Sequence, residues 1–256
     1  MTSEADSSER DREIRETYEI CHNFLTGLRF LVMDTSRDPK YLDTHLLSYV
    51  AQDLIETSVA IPLLIQHGIR NICRREIRFI LESTIKLAYI HQQDYDSDIS
   101  SKLSVYRSDL NSSKISVKKD VALTMIADSL RDTLLDETGR LYGETSNYVH
   151  LTAIQIQHRI DEVDDGRTTG FESAEDVREF NRLLSCGLSV SLVFLFHAVP
   201  EYVAGDWLVQ HDGKSNPWYF RRSRFIASMD AHFDYKHERK ALLAEVQATR
   251  LHDVSF

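Results

Sequence analysis

Only 9 glycines and 4 prolines interrupt 256 residues, and the long stretches between them repeat their apolar residues every three or four positions. That spacing lays apolar side chains along one stripe of a helix, whereas a half-buried strand needs strict alternation. The chain therefore reads as all-α, a helical bundle of about seven to eight helices.

Ile14, Tyr18, Cys21, Leu25, Leu28 and Val32 mark the stripe of a first helix from Glu9 to Asp34. A second follows Pro39 and carries Leu46, Val50, Leu54, Ser58 and Ile61 until His67 and Gly68 stop it; Pro62 should kink it or loosen its last turn, because proline removes a backbone donor. A third spans Ile69 to Gln93, and Ser97 is placed to cap a short helix to Leu110. After a polar linker, helices are expected from Val117 to Asp136 and from Thr138 to Ile160. Ser173, with Glu175 and Asp176 behind it, starts the next, and a last helix covers Ser223 to Thr249. The organisation expected is a disordered N-terminus over 1–8, a bundle over 9–203, and an irregular segment plus C-terminal helix over 204–256 packed on that bundle.

With 42% hydrophobic and 27% charged residues the chain can bury a sizeable core, and a net charge of −10 disfavours broad, non-specific nucleic-acid binding while leaving room for a local basic patch. Cys21, Cys73 and Cys186 form no paired motif and read as reduced core thiols. The polar N-terminus has no apolar segment of the secretory kind, which points to the cytoplasm. Leu183 to Val199 runs 17 residues without a formal charge, yet its serines, glycine and histidine suit a central buried helix better than a membrane span. Ser185, Gly187 and Ser189 would let a neighbouring helix come close.

No glycine-rich phosphate loop, nucleophile elbow, HExxH or paired Cys/His spacing occurs, so no metal and no cofactor are expected. Candidate chemistry lies instead on two helices. Arg75, Arg78 and Glu82 share one flank of the third helix, either as an i, i+4 pair covering apolar surface or as a polar site for a phosphate or carboxylate. In "GRLYGETSNYVHLT", Val149, Ala153, Ile156 and Ile160 define an inward stripe with Ser146, Tyr142 and Asn147 beside it, and His150 about 40° from Ser146. A buried histidine needs a partner, and Glu82 or Arg78 is the one expected.

"RREIRFILESTIKLAYI" followed by "LYGETSNYVHLT" resembles a bacterial helical family of uncharacterised function, grouped beside the HEPN (higher eukaryotes and prokaryotes nucleotide-binding) bundles, over roughly residues 40 to 200. The resemblance implies a HEPN-like bundle, a homodimer, and an Arg-x(4–6)-His motif facing a dimer cleft where RNA is cleaved. Arg15 and His22 stand at that spacing, whereas nine residues separate Arg140 from His150. Metal-independent cleavage would take His150 as proton acceptor with Arg75 or Arg78 at the phosphate.

"NPWYFRRSRF" interleaves Trp218, Tyr219 and Phe220 with Arg221, Arg222 and Arg224, which suits either base stacking with phosphate contacts or a packed segment with a solvated basic flank. Two functions are expected: a HEPN-like protein that binds or cleaves RNA in bacterial defence or stress, or a non-catalytic helical interaction, sensor or antitoxin-like subunit. The partners would be RNA or a protein, with a homodimer and no membrane.

Overall fold

The computed structural model describes residues 4–110, 115–150, 152–166 and 172–256, with side chains from residue 7 onward. Among them are eleven α-helices: α1 Glu4–Thr35, α2 Tyr41–Thr44, α3 Leu47–Gln66, α4 Arg70–Gln93, α5 Ile99–Asp109, α6 Asp128–Ser146, α7 Ala153–Asp164, α8 Ala174–Ala198, α9 Glu201–Leu208, α10 Arg224–His232 and α11 Leu243–Asp253. The described residues hold no strand, only an isolated bridge between Val209 and Ser215. The class is all-α.

α8 is the axis of the core. A capping box starts it, with Ser173 accepting from the Asp176 backbone and Asp176 accepting from the Ser173 backbone, which satisfies two orphan donors at once. Beyond that first turn, Phe180, Leu184, Leu188, Leu192, Phe194 and Phe196 are sealed from solvent on every side, by α4 and α1 above all. Each such side chain contributes about 1.5–3 kcal/mol of burial. α8 is long and apolar enough to cross a membrane by length and composition, and most of that stretch is buried inside the chain. Gly187 explains the close fit to α4, since a Cβ there would stand 2.6 Å from Ile77 Cγ2.

α3 continues through Pro62 to Gln66. It ends at Gly68, whose φ of 71° is the left-handed conformation that glycine adopts without strain. The Gly68 and Ile69 amides then cap the carbonyls of Ile65 and Leu64, both at 2.9 Å, and α4 turns back beside α3.

The chain breaks more often than the expected seven to eight helices. α1 already starts at Glu4, inside the segment 1–8 expected to be disordered. Asp98, not Ser97, caps α5, accepting from the Ser101 amide at 2.8 Å. Thr138, expected at a helix start, is buried in the middle of α6, where its hydroxyl bonds back to the Leu134 carbonyl at 2.6 Å. The helix expected over 138–160 instead ends at Ser146; Asn147 to His150 form turns, and the Thr152 side chain caps α7 by accepting from the Gln155 amide.

The single last helix is likewise divided. Arg239, fully buried, pairs with Asp230 at 2.5 Å and Asp234 at 2.9 Å, and donates to the Gly213 carbonyl at 3.2 Å. Drawing that guanidinium inward bends the chain through two 3-10 turns between α10 and α11, and Arg250 from α11 closes the network on the same two aspartates. Residues 204–256 pack on the bundle through α10 against α8 and through the Tyr219 amide, which donates to Asn23 of α1 at 3.0 Å.

Candidate functional site

α4 carries Arg70, Arg74, Arg75, Arg78, Glu82 and Lys86, and every one of them is engaged. Arg78 is buried, donating to Ser146 Oγ at 2.9 Å and to Tyr142 Oη at 2.7 Å, with its guanidinium 4.4 Å from the Tyr142 ring centre. Glu82 stands 3.8 Å from Arg78 and 2.6 Å from Lys86. Arg75 Nε donates to the Tyr148 carbonyl, and Arg74 lies over the Tyr148 ring at 4.5 Å. Tyr148 in turn shares a 2.9 Å hydrogen bond with His158 of α7, and burial holds its phenol protonated by raising its pKa. Arg70 bridges Glu162 of α7 at 2.7 Å and Asp176 of α8 at 2.9 Å.

The α4 row is thus a clamp that fixes α6, the following turn and α7. Arg78, Glu82, Tyr142 and Ser146 do come together, while Arg75 is engaged apart from them by the Tyr148 carbonyl. His150 does not join them: it is exposed and makes no hydrogen bond to another described residue. The expectation of a half-buried His150 paired with Arg78 or Glu82 fails because the helix ends at Ser146, so the angles that placed His150 inward no longer apply. Tyr148 takes the buried position instead, and Asn147 contributes only its carbonyl, which accepts from Thr152 Oγ1 at 3.0 Å. Arg140 is engaged by Glu137 and Glu144, while Arg15 and His22 are both exposed on α1.

The C-terminal aromatic cluster belongs to the core. Trp218 is 8% exposed and packs edge-on against Trp207 at 5.2 Å, with Phe196 and Phe220 beside it, so it is not a free stacking platform. Arg221 pairs with Asp253 at 3.2 Å, and Arg222 lies over Tyr219 and donates to Ser255. A cavity of about 230 Å³ lies beside Trp218 and Arg221, and four of the charged groups that line it are paired, Asp230 with Arg250 and Arg221 with Asp253.

Sequence reasoning missed a histidine cluster at the opposite end of α4. His45 and His91 stack at 3.8 Å, and His197 sits at the last turn of α8. Backbone groups fix their neutral forms. His45 Nε2 donates to the Ala198 carbonyl and Nδ1 accepts from the Leu47 amide, while His197 Nδ1 donates to the Val193 carbonyl and Nε2 accepts from the Met125 amide. His91 Nε2 accepts from the Leu46 amide, which leaves the proton on Nδ1, buried without a partner. Burial depresses all three, His45 and His197 to about 4 and His91 to about 2. A signal was present: His91 continues the α4 stripe of Ile77, Leu81, Thr84 and Ala88. An open cavity of about 510 Å³ adjoins His91 and His197, but the free His91 nitrogen is itself closed to solvent. No group among the described residues could hold a metal ion.

The second feature missed is α7. No residue of this helix is buried, and Ile156, Ile160 and Val163 are exposed at 46%, 47% and 69%. Its half-buried positions are the polar Gln155 and Glu162, on the side where His158 meets Tyr148. At about 100° per residue, the apolar stripe lies roughly 150° from that side. The inward stripe expected through Val149, Ala153, Ile156 and Ile160 therefore points out, because Arg70 of α4 and the Tyr148 hydroxyl hold the polar side of α7.

No protein-family model, curated protein or solved structure matches the chain.

Proposed function

We propose that this protein is a non-catalytic helical interaction module and that α7 is its docking element. The observation that carries the reading is the reversed seating of α7, which spends its polar side on the body and offers its apolar side to solvent. Exposed apolar surface gathered on one helix is characteristic of an interaction site. The arginines that a phosphate site would need are already engaged, Arg78 by Ser146 and Tyr142 of α6 and Arg75 by the Tyr148 carbonyl. A photo-crosslinking residue at position 160 should give a specific adduct in cells, and the same residue at the exposed polar position 132 should not. Absence of any adduct from position 160 overturns the reading.

A second reading, a HEPN-like bundle that binds or cleaves RNA in bacterial defence or stress, is favoured by one observation. Arg15 and His22, at the family spacing, are both exposed, and two residues seven apart lie about 20° from each other around a helix. Under it, labelled RNA is cleaved with or without EDTA, and Arg15→Ala or His22→Ala abolishes cleavage. Intact RNA with the wild-type protein counts against it.

A further inference from the structure

We infer that the partner of α7 is α7 of a second copy of this chain, packed parallel to it about a twofold axis. The inference rests on the interaction reading above and adds the occupant and its direction.

The spacing of the stripe comes first. Ala153, Ile156, Ile160 and Val163 follow one another at intervals of three, four and three, the a, d, a, d pattern with which two helices interlock. Gln155 and Glu162 then fall at c and His158 at f, the side that the body holds. α7 therefore presents a seam fitted to another helix, and the body keeps clear of it. The helix is already formed by its tethers, so docking does not bear the cost of nucleating a short helix.

Charge then selects the second copy and its direction. Arg159 occupies g, and Gln157 and Asp164 occupy e. In a parallel pair, g of one helix faces e of the next heptad on the other, five residues further on. Arg159 of each copy thus meets Asp164 of the other, and the twofold axis makes the contact twice. An antiparallel pair would bring g against g, setting Arg159 beside Arg159. Arg159 now pairs with Glu162 of its own helix at 2.6 Å on the surface, a contact worth only a few tenths of a kcal/mol, so its exchange for Asp164 of the second copy is cheap.

The size of the patch sets the strength. Its three large side chains expose roughly 300 Å² of apolar surface per copy, within the range of functional patches. A standard interface buries about 800 Å² per partner, so a seam of this size gives a weak, readily reversible dimer.

Sedimentation of the full chain over micromolar to submillimolar concentrations tests this. The wild-type protein should dimerise, and Ile160→Asp should weaken the dimer at least tenfold without changing the helical content of the monomer. Arg159→Asp and Asp164→Arg should each weaken it, and the double exchange should restore it. Val163→Cys should give a disulfide-linked dimer on mild oxidation where the wild-type protein gives none, because only a parallel pair brings identical ends together. A dimer indifferent to Ile160→Asp, or one in which Val163→Cys does not cross-link, overturns the inference. A monomer at every concentration also overturns it; if position 160 still gives an adduct with a different protein in cells, the interaction reading stands and only the second copy is excluded.

Discussion

α7 and α8 carry the same helical periodicity and put it to opposite use. α8 is apolar around most of its circumference and is enclosed by α1, α4 and α6, so its position follows from burial alone. α7 has an apolar stripe that faces solvent, and one ion pair from Arg70 and one hydrogen bond from Tyr148 hold its other side on the body. Arg70 stands between the two helices, one nitrogen on Glu162 of α7 and another on Asp176 of α8. The difference teaches that an amphipathic pattern specifies a face, while the side chains that meet it from elsewhere specify which way the face points.

Acid should strike hardest, at the α8 end. His45, His91 and His197 titrate near 6.5 when unfolded, but are held neutral in the fold down to about 4 for His45 and His197 and about 2 for His91. The unfolded chain then binds more protons below pH 6.5, so stability is full above that value and falls as the pH is lowered toward about 4. The slope is about 1.4 kcal/mol per histidine per pH unit. Urea denaturation at pH 7.5, 6 and 5 checks it, and a flat profile would mean that these imidazoles are not buried as neutral groups.

Phe194→Ala opens a cavity in the core along the C-terminal part of α8 and should cost about 3–5 kcal/mol in denaturant unfolding. A loss below 1 kcal/mol would erase the contrast between a buried and a displayed helix. Arg70→Ala should cost about 1–3 kcal/mol, and its signature is local: amide exchange across 153–164 should accelerate while the centre of α8 stays protected. Equal acceleration in both would show that α7 is not a separately tethered element. The smallest effect belongs to His150→Ala, at the entry to α7, with a change within about 0.5 kcal/mol. A loss above 1 kcal/mol would restore a buried partner for that imidazole.

Much of the helical frame was legible in advance. The break between α3 and α4, the Ser173 start of α8 and the close approach at Gly187 follow from local chemistry: a glycine stop, a capping box and a residue without a Cβ. The neighbourhood of Arg78 was legible in part, since its flank of α4 was identified and Ser146 and Tyr142 stood beside His150, the residue that Arg78 or Glu82 was expected to partner. Its use was not, because a side chain's partner lies on a different element and no spacing within one helix reveals it. His150 was misplaced for a related reason. An angle counted from Ser146 holds only while the helix continues, and the chain leaves the helix at Asn147. For Trp218 the sequence leaves base stacking and a packed segment both open, and its neighbours in space, Trp207 and Phe196, decide for the packed segment.

By itself, then, the sequence determined an all-α chain, a long apolar helix whose serines, glycine and histidine suit the centre of a bundle, and an amphipathic stripe along α7. The tertiary structure alone decided that this stripe faces solvent. Arg70, 92 residues from Glu162, reaches the polar side of α7, and Tyr148 reaches His158 beside it. A partly buried ion pair and a hydrogen bond to a buried phenol are directional and fix the rotation of a helix, whereas apolar burial is not directional and leaves that rotation open.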